Sequence, residues 1–213
     1  GDRAVRLTLP RLQRGVQLTL DPLAARHLLG MPAGELPARG VAADEALGSG
    51  VAELAERLAG AGADDTRVDA EADAQAAVVA AWLARRAATT RHTGVRAEVA
   101  QAWRLVLARR GRWAIGGLAR EVGLSERQLR ALMRAELGVS PKTACRLARL
   151  DHAVERIVGG RDRTLADTAA AAGYADHAHL DADFAAAVGC SPSAWLVEER
   201  RNIQAGGHRN RAD

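Results

Sequence analysis

The sequence is poor in aromatic residues, in cysteine and in long hydrophobic runs. Aromatic residues make up 3% of the 213 positions, so a core must be built from Ala, Leu and Val, which favours helices over a β-sandwich. Cys145 and Cys190 are too few for a disulfide framework or a structural zinc site. No run approaches the roughly 18 apolar residues of a membrane span, and the first residues form no apolar signal core. These absences predict a cytoplasmic, mainly helical protein without a membrane segment.

The positive charge of the chain is supplied almost entirely by arginine. Lys and Arg total 30 against 26 Asp and Glu, a net charge of +4, and Lys142 is the single lysine. A total this small does not establish a nucleic-acid partner. Counted by segment, residues 1–94 carry −1, residues 104–156 carry +7 and residues 157–195 carry −3. The basicity is therefore concentrated in one part of the chain.

The first twenty residues contain the strongest strand signals. Apolar residues alternate with polar ones twice, at Val5, Leu7 and Leu9 and again at Val16, Leu18 and Leu20. This period of two predicts two short strands. Because two strands alone are marginal in water, they must pack on helices, extend a sheet missing from this chain, or pair with another protomer.

Helical signals follow these strands. Asp21 and Pro22 predict a helix start, and the helix is expected to stop at Gly30. Further apolar periodicity predicts helices around residues 51–58, 68–88 and 95–109, with breaks at 60–65 and 89–94. We therefore expect a small α+β regulatory region at residues 1–93, a helical domain at 94–199 and a flexible basic tail at 200–213.

An internal repeat occupies the predicted helical domain. Residues 115–141 and 165–192 align at an offset of 50 as far as Gly123 and Gly173, and at 51 afterwards, so the second turn has one extra residue. In each copy a short helix ends at this glycine, which suits a tight turn. A second helix follows, and both copies finish with Gly, a spacer and Ser-Pro. Helix, glycine turn and helix form the helix-turn-helix pattern.

Capping residues mark the helix starts of both copies. Ser125 and Gln128 form a capping box before the second helix of copy one, and Asp176 is the equivalent cap in copy two. Ser140 is a further cap, with Pro141 at the first helical position. The helix at residues 141–157 would span about 26 Å. Such a spacer suits two recognition helices in successive major-groove segments, although helical pairs also occur in purely structural repeats.

Residues 103–195 resemble the DNA-binding domain of the AraC/XylS transcriptional regulators. The motifs that carry the resemblance are LAREVGLSERQL, GVSPKTACRLARL, AAAAGYADHAHL and GCSPSAW. The segment GVQLTLDPLAARHLLGMPAGEL, residues 15–36, is similar to the regulatory part of some actinobacterial members, as if the chain began inside a sensor domain. The resemblance implies double-stranded DNA as partner, a small-molecule effector for the N-terminal region, and RNA polymerase and a second copy as further candidate partners.

The first copy supplies the expected DNA contacts. Arg127, Arg130 and Arg134 lie at spacings of three and four, which places them on one helix face, and Arg suits guanine edges and phosphates. The alternative is a solvated face balanced by Glu126 and Glu136. The full set of predicted DNA-binding residues is Ser125, Arg127, Gln128, Arg130, Arg134, Arg120, Lys142, Arg146, His177 and Asp181.

The second copy departs from the family pattern. Members usually carry a basic residue where this chain has Ala182 or Ala185, and phosphate would repel Asp181, although an acidic side chain can accept from a cytosine amino group. We therefore expect the first copy to dominate affinity. Thr168 replaces the apolar residue of copy one, and its hydroxyl is expected to bond to helix carbonyls and loosen the packing.

Other sites have weaker support. His177 and His179 point about 200° apart on a helix, which disfavours a shared metal ion, and we expect His179 to be half-buried and His177 exposed. Both cysteines are interpreted as structural, and no catalytic constellation or cofactor motif stands out. We predict a DNA-binding regulator and not an enzyme. The alternatives are an interaction module that has lost DNA binding and a regulator-like DNA-repair protein.

Overall fold

The computed structural model describes residues 16, 18, 20–37, 41–48, 50–61, 68–90 and 94–204. The described residues form helices and no strand, which confirms the mainly α class. The helices are α1 (Pro22–Leu29), α2 (Ala43–Leu47), α3 (Gly50–Ala61), α4 (Val68–Thr89), α5 (Ala97–Ala108), α6 (Ile115–Glu121), α7 (Glu126–Leu137), α8 (Pro141–Val158), α9 (Leu165–Ala172), α10 (His177–Val188) and α11 (Pro192–Gln204), with a single 3-10 turn at Ala33–Glu35.

The predicted strands are not supported by the described residues. Val16, Leu18 and Leu20 belong to no strand, and the first predicted strand, at residues 5–9, lies outside the described ranges. A strand needs a ladder of hydrogen bonds with a neighbour, and alternation of apolar residues alone does not supply that neighbour. The α+β description of the N-terminal region is therefore replaced, for the described residues, by a helical one.

The described residues divide into two units. The N-terminal unit contains the described residues from 16 to 100 together with 131–138, and the C-terminal unit contains residues 101–130 and 139–204. The second half of α7 thus groups with the N-terminal unit.

Helices α1, α3 and α4 build the N-terminal unit. Asp21 caps α1 by accepting a hydrogen bond from the Leu23 amide at 2.7 Å, as predicted. Trp82 of α4 is buried, and its indole N–H donates to the Gly50 carbonyl at the start of α3, 3.2 Å away. This bond satisfies the indole's polar atom and joins the two helices.

The C-terminal unit is built around α8. One apolar face of this helix, including Leu150, Ala153 and Ile157, packs with α9 and α10 in a core completed by Phe184. The Phe184 ring meets Trp195 of α11 edge-on at a centroid distance of 5.7 Å. Because α8 supplies core residues, it is a packed part of the second helix-turn-helix and not an isolated rod.

Helix α11 extends beyond the sequence prediction. It runs to Gln204, so residues 200–204, predicted as the start of a flexible tail, are helical. Residues 205–213 lie outside the described ranges. The predicted boundary between residues 93 and 94 stays a prediction.

Candidate nucleic-acid interface

Two helix-turn-helix pairs form in the C-terminal half, one from α6 and α7 and the other from α9 and α10. Gly123 and Gly173 follow the first helix of each pair with φ of 70° and 85°, the left-handed conformation that glycine adopts without steric cost. Helix α7 begins three residues after its glycine and α10 four residues after. The extra residue therefore lies in the second turn, as the repeat offset predicted.

The predicted capping box fixes the start of α7. The Gln128 amide donates to Ser125 Oγ at 3.3 Å, and the Ser125 amide donates to Gln128 Oε1 at 3.0 Å. The Ser125 hydroxyl also donates to Gln128 Oε1, at 2.8 Å. Ser125 and Gln128 are exposed but bonded to each other, so their structural role is to hold the turn that presents α7.

Helix α7 buries one face and presents arginines on another. Leu129 and Met133 are fully buried, whereas Arg127, Arg130 and Arg134 are exposed. Among the described residues, no side chain of these three arginines makes an ion pair or a hydrogen bond. Their guanidinium groups therefore keep their donors available for a partner.

The acidic residues of α7 do not balance these arginines. Glu136 pairs with Arg26 of α1 inside the N-terminal unit. The Glu126 carboxylate lies over α6, where its Oε1 would be 2.7 Å from a Cβ added at Gly116. The geometry therefore favours an unbalanced basic face over the neutralised one.

The three predicted phosphate contacts have different surroundings. Arg120 is exposed on α6, and its Nε donates to the Gly116 carbonyl at 3.3 Å. Lys142 is exposed in the first turn of α8, which Ser140 caps by accepting from the Thr143 amide at 3.1 Å. Arg146 is half-buried, with its Nη1 at 3.9 Å from Asp183 Oδ1 of α10. Arg120 and Lys142 are thus more accessible than Arg146.

Two arginines of α8, Arg146 and Arg149, contact residues of the second helix-turn-helix. Beside the pair of Arg146 and Asp183, the Arg149 guanidinium lies 5.7 Å from the centre of the Tyr174 ring. Burial, followed by the nearby Asp183 carboxylate, raises the pKa of Tyr174 to about 12. Sequence reasoning missed this arrangement; its only signal was the spacing of Arg146 and Arg149, three residues apart on one face.

The exposed surface of α10 has little positive charge. Asp176 caps the helix by accepting from the His179 amide at 2.7 Å, as predicted. His177 Nε2 lies 3.2 Å from Asp181 Oδ1, without the geometry of a hydrogen bond. Ala178, Ala182 and Ala185 complete the exposed face. This helix offers small residues and one acidic group where α7 offers three arginines.

His179 differs from its prediction. It is exposed rather than half-buried, and its ring makes an edge-to-face contact with Tyr174, with centroids 5.2 Å apart and planes at 88°. His177 is exposed, as predicted. Among the described residues, no group of three His, Cys, Asp or Glu side chains is placed to hold a metal ion.

Thr168 makes a hydrogen bond beyond the predicted bond to a helix carbonyl. Its hydroxyl reaches the Thr164 carbonyl at 3.4 Å and Asp162 Oδ2 at 2.9 Å. Arg156 donates to the same carboxylate from α8, with Nε 2.8 Å from Oδ2. The threonine is buried, and this network ties α9 to α8 rather than loosening the packing.

The environment of Cys145 disfavours a reactive thiol. It is buried on α8, and burial raises its pKa, opposed by the smaller effect of Arg149. Because the thiolate is the nucleophilic form, this residue is suited to packing. Cys190 is half-buried. No helix among the described residues is long and apolar enough to cross a membrane.

Comparison with known families identifies the repeat. Residues 118–197 match the model of a helix-turn-helix domain family, which makes this segment a DNA-binding domain. The model is that of AraC-type helix-turn-helix domains, so the match supports the resemblance of this segment to AraC-type regulators. No curated protein and no solved structure matches the chain. The resemblance of residues 15–36 to a sensor region stays a prediction.

Proposed function

We propose that the protein is a sequence-specific transcriptional regulator in which the first helix-turn-helix supplies most of the affinity for DNA. The observation that carries this proposal is the exposed face of α7, where the side chains of Arg127, Arg130 and Arg134 make no hydrogen bond or ion pair with another described residue. The surrounding segment, residues 104–156, carries +7, and residues 157–195 carry −3. DNA phosphates attract the first segment and repel the second.

The two recognition helices would address successive turns of one DNA face. Helix α8 has 18 residues, a length of about 27 Å, and successive major-groove segments are about 34 Å apart. In this arrangement the arginines of α7 read base edges, and Arg120 and Lys142 contact phosphates. Arg146 has a smaller role in contacting DNA, because its guanidinium already faces Asp183. His177 and Asp181 are the second unit's candidates for base contact.

The asymmetry is tested with Arg130→Ala and His177→Ala on a duplex selected from a random pool by the full chain. Loss of a bidentate guanine contact costs about 1–3 kcal/mol, so Arg130→Ala should weaken binding by about 5- to 150-fold and relax selectivity at one base pair. His177→Ala should change affinity by less than about twofold, because the exposed His177 ring lies beside the Asp181 carboxylate, whose negative charge repels phosphate. Equal losses in the two variants would contradict the asymmetry.

An interaction module without DNA binding is the second candidate. The acidic, alanine-rich surface of α10 favours it, because that surface lacks the basic residue of the family pattern. Recovery of no duplex from the random pool at any salt concentration would support this candidate over a regulator. The third class, a DNA-repair protein, needs a reactive thiol, and burial of Cys145 argues against one there. An effector, RNA polymerase and a second copy of the chain are proposed partners for the regulator.

A further inference from the structure

A shallow basic depression lies between the end of α5 and α6. It has a volume of about 410 Å³ and is lined by Arg109, Trp113, Gly117, Arg120 and Glu121. All five residues lie in the C-terminal unit. Two guanidinium groups beside one indole ring make an arrangement that favours an anion.

Trp113 is fixed and in turn fixes Arg109. The indole N–H donates to the Leu105 carbonyl at 2.9 Å, and the ring is half-buried. The Arg109 guanidinium carbon lies 4.0 Å from the centre of this ring, within the range of a cation–π contact. This contact restrains the guanidinium group, and the Arg109 side chain stays exposed to a ligand. An ordered arginine loses less side-chain entropy when it binds a partner.

The second cation comes from the first helix of the helix-turn-helix. Arg120 is restrained by its bond from Nε to the Gly116 carbonyl, 3.3 Å long, which leaves its terminal nitrogens for a ligand. In helix-turn-helix complexes the first helix crosses the DNA backbone while the second enters the groove. The depression on α6 therefore lies on the element that faces phosphates.

We propose that Arg109, placed over the Trp113 ring, and Arg120 together bind a DNA backbone phosphate next to the base pairs that α7 contacts. The inference rests on the proposed function and assigns a role to Arg109 and Trp113 that neither the motifs nor the family match provides. The group that the two arginines would bind is the phosphodiester of the DNA backbone. The site adds affinity and fixes the position of the domain on the duplex without reading sequence.

Glu121 lines the same depression and opposes the anion. Its exposed carboxylate reduces the positive potential of the site, so removal of this charge should strengthen binding. Glu121→Gln keeps the size of the side chain and changes only its charge. Glu121→Gln is therefore expected to change affinity in the direction opposite to Arg109→Ala.

The test compares Arg109→Ala, Arg109→Lys and Glu121→Gln with Arg57→Ala in the full chain. Arg57 is an exposed arginine of α3 in the N-terminal unit, so its removal matches the change in net charge. Binding to the selected duplex and to a random duplex is measured at 50 and 200 mM salt. Each phosphate contact contributes a slope of about 0.9 in log–log salt dependence, so Arg109→Ala should reduce the loss of affinity between these concentrations by about threefold.

The expected pattern is specific to a phosphate contact. Arg109→Ala weakens both duplexes by the same factor, Arg109→Lys weakens them less, and Glu121→Gln strengthens them. Ethylation of one phosphate beside the contacted base pairs interferes more with binding of the parent chain than with binding of Arg109→Ala, which keeps only the Arg120 contact. If Arg109→Ala matches Arg57→Ala in affinity and slope, the inference is overturned, whereas the proposed function survives as long as Arg130→Ala still loses selectivity. If the parent chain binds no duplex, the proposed function itself fails.

Discussion

Asp162 illustrates how single side chains organise the second helix-turn-helix. It follows α8 and accepts hydrogen bonds from Arg156 of α8 and from Thr168 of α9. The hydrogen bond from the Arg156 guanidinium is the main cause of its lowered pKa, with a smaller contribution from the Thr168 hydroxyl. The charged carboxylate therefore stabilises the junction of the two helices.

The lowered pKa of Asp162 predicts a pH dependence of stability. A group with a depressed folded-state pKa contributes stability above its unfolded value, which is about 4 for Asp, and loses it as pH falls through the folded value. Asp162→Asn should lower the melting temperature at pH 7, and the difference from the parent chain should shrink as pH falls from about 5 to about 3. Asp73→Asn, an exposed carboxylate of α4, is the control. A constant difference over this range would contradict the prediction.

At the scale of elements, α6 contains two adjacent glycines whose backbone does not require glycine. Gly116 and Gly117 lie inside the helix and are absent from the positive-φ positions, whereas Gly123 after the helix has a φ of 70°. Glycine inside a helix costs about 0.5–1 kcal/mol relative to alanine. The two kinds of position in one helix-turn-helix should thus respond oppositely to a methyl group.

Gly117→Ala is expected to raise the free energy of unfolding by about 0.5–1 kcal/mol. The added Cβ would lie 3.7 Å from the Trp113 ring, an ordinary van der Waals distance. Gly123→Ala meets nothing within 4 Å, but it should cost about 1–2 kcal/mol because of its left-handed backbone. Urea unfolding of the two variants measures both changes in the free energy of unfolding. If Gly123→Ala is stabilising as well as Gly117→Ala, the turn tolerates an L-residue and the prediction for Gly123 is wrong.

At the scale of the whole molecule, the N-terminal unit holds the end of α7 through contacts distant in sequence. Arg26 of α1 pairs with Glu136, 110 positions away, and both side chains are mostly buried, with 17% and 13% exposed. The backbone at Gly34 also comes close, because a Cβ there would clash with the Ala135 carbonyl oxygen. Residues 131–138 are therefore packed as part of this unit.

Arg26→Ala should be more destabilising than removal of an exposed arginine. It leaves the Glu136 carboxylate mostly buried without this cation, at a cost of about 1–3 kcal/mol. Arg57→Ala is the control, because its pair with Glu53 spans 3.7 Å and both side chains are well exposed. That change should cost less than about 0.5 kcal/mol. Equal free energies of unfolding for the two variants would show that the Arg26 contact contributes little.

Much of the helical framework was predictable, and the polar network was not. Helix α1 begins at Pro22 and ends at Leu29, as its cap and terminal glycine predicted, and the extra residue of the second turn followed from the repeat alone. The strand expected near Val16 did not appear in the described residues, since pairing depends on a neighbour. The exposure of His179 and the bond from Thr168 to Asp162 depended on which elements pack together.

By itself the sequence determined the helices, their caps, the tandem repeat and the segment that carries the positive charge. The helices and caps depend on residues within about four positions of one another, the range over which helical periodicity and capping act. The repeat and the charged segment can be read directly from the order of the residues. Only the tertiary structure decided which charged side chains face an opposite charge. Arg26 and Arg146 face carboxylates brought near by packing, whereas Arg127, Arg130 and Arg134 meet no described partner. The charge total could not show this difference, because ion pairing depends on distance in space and not on position along the chain.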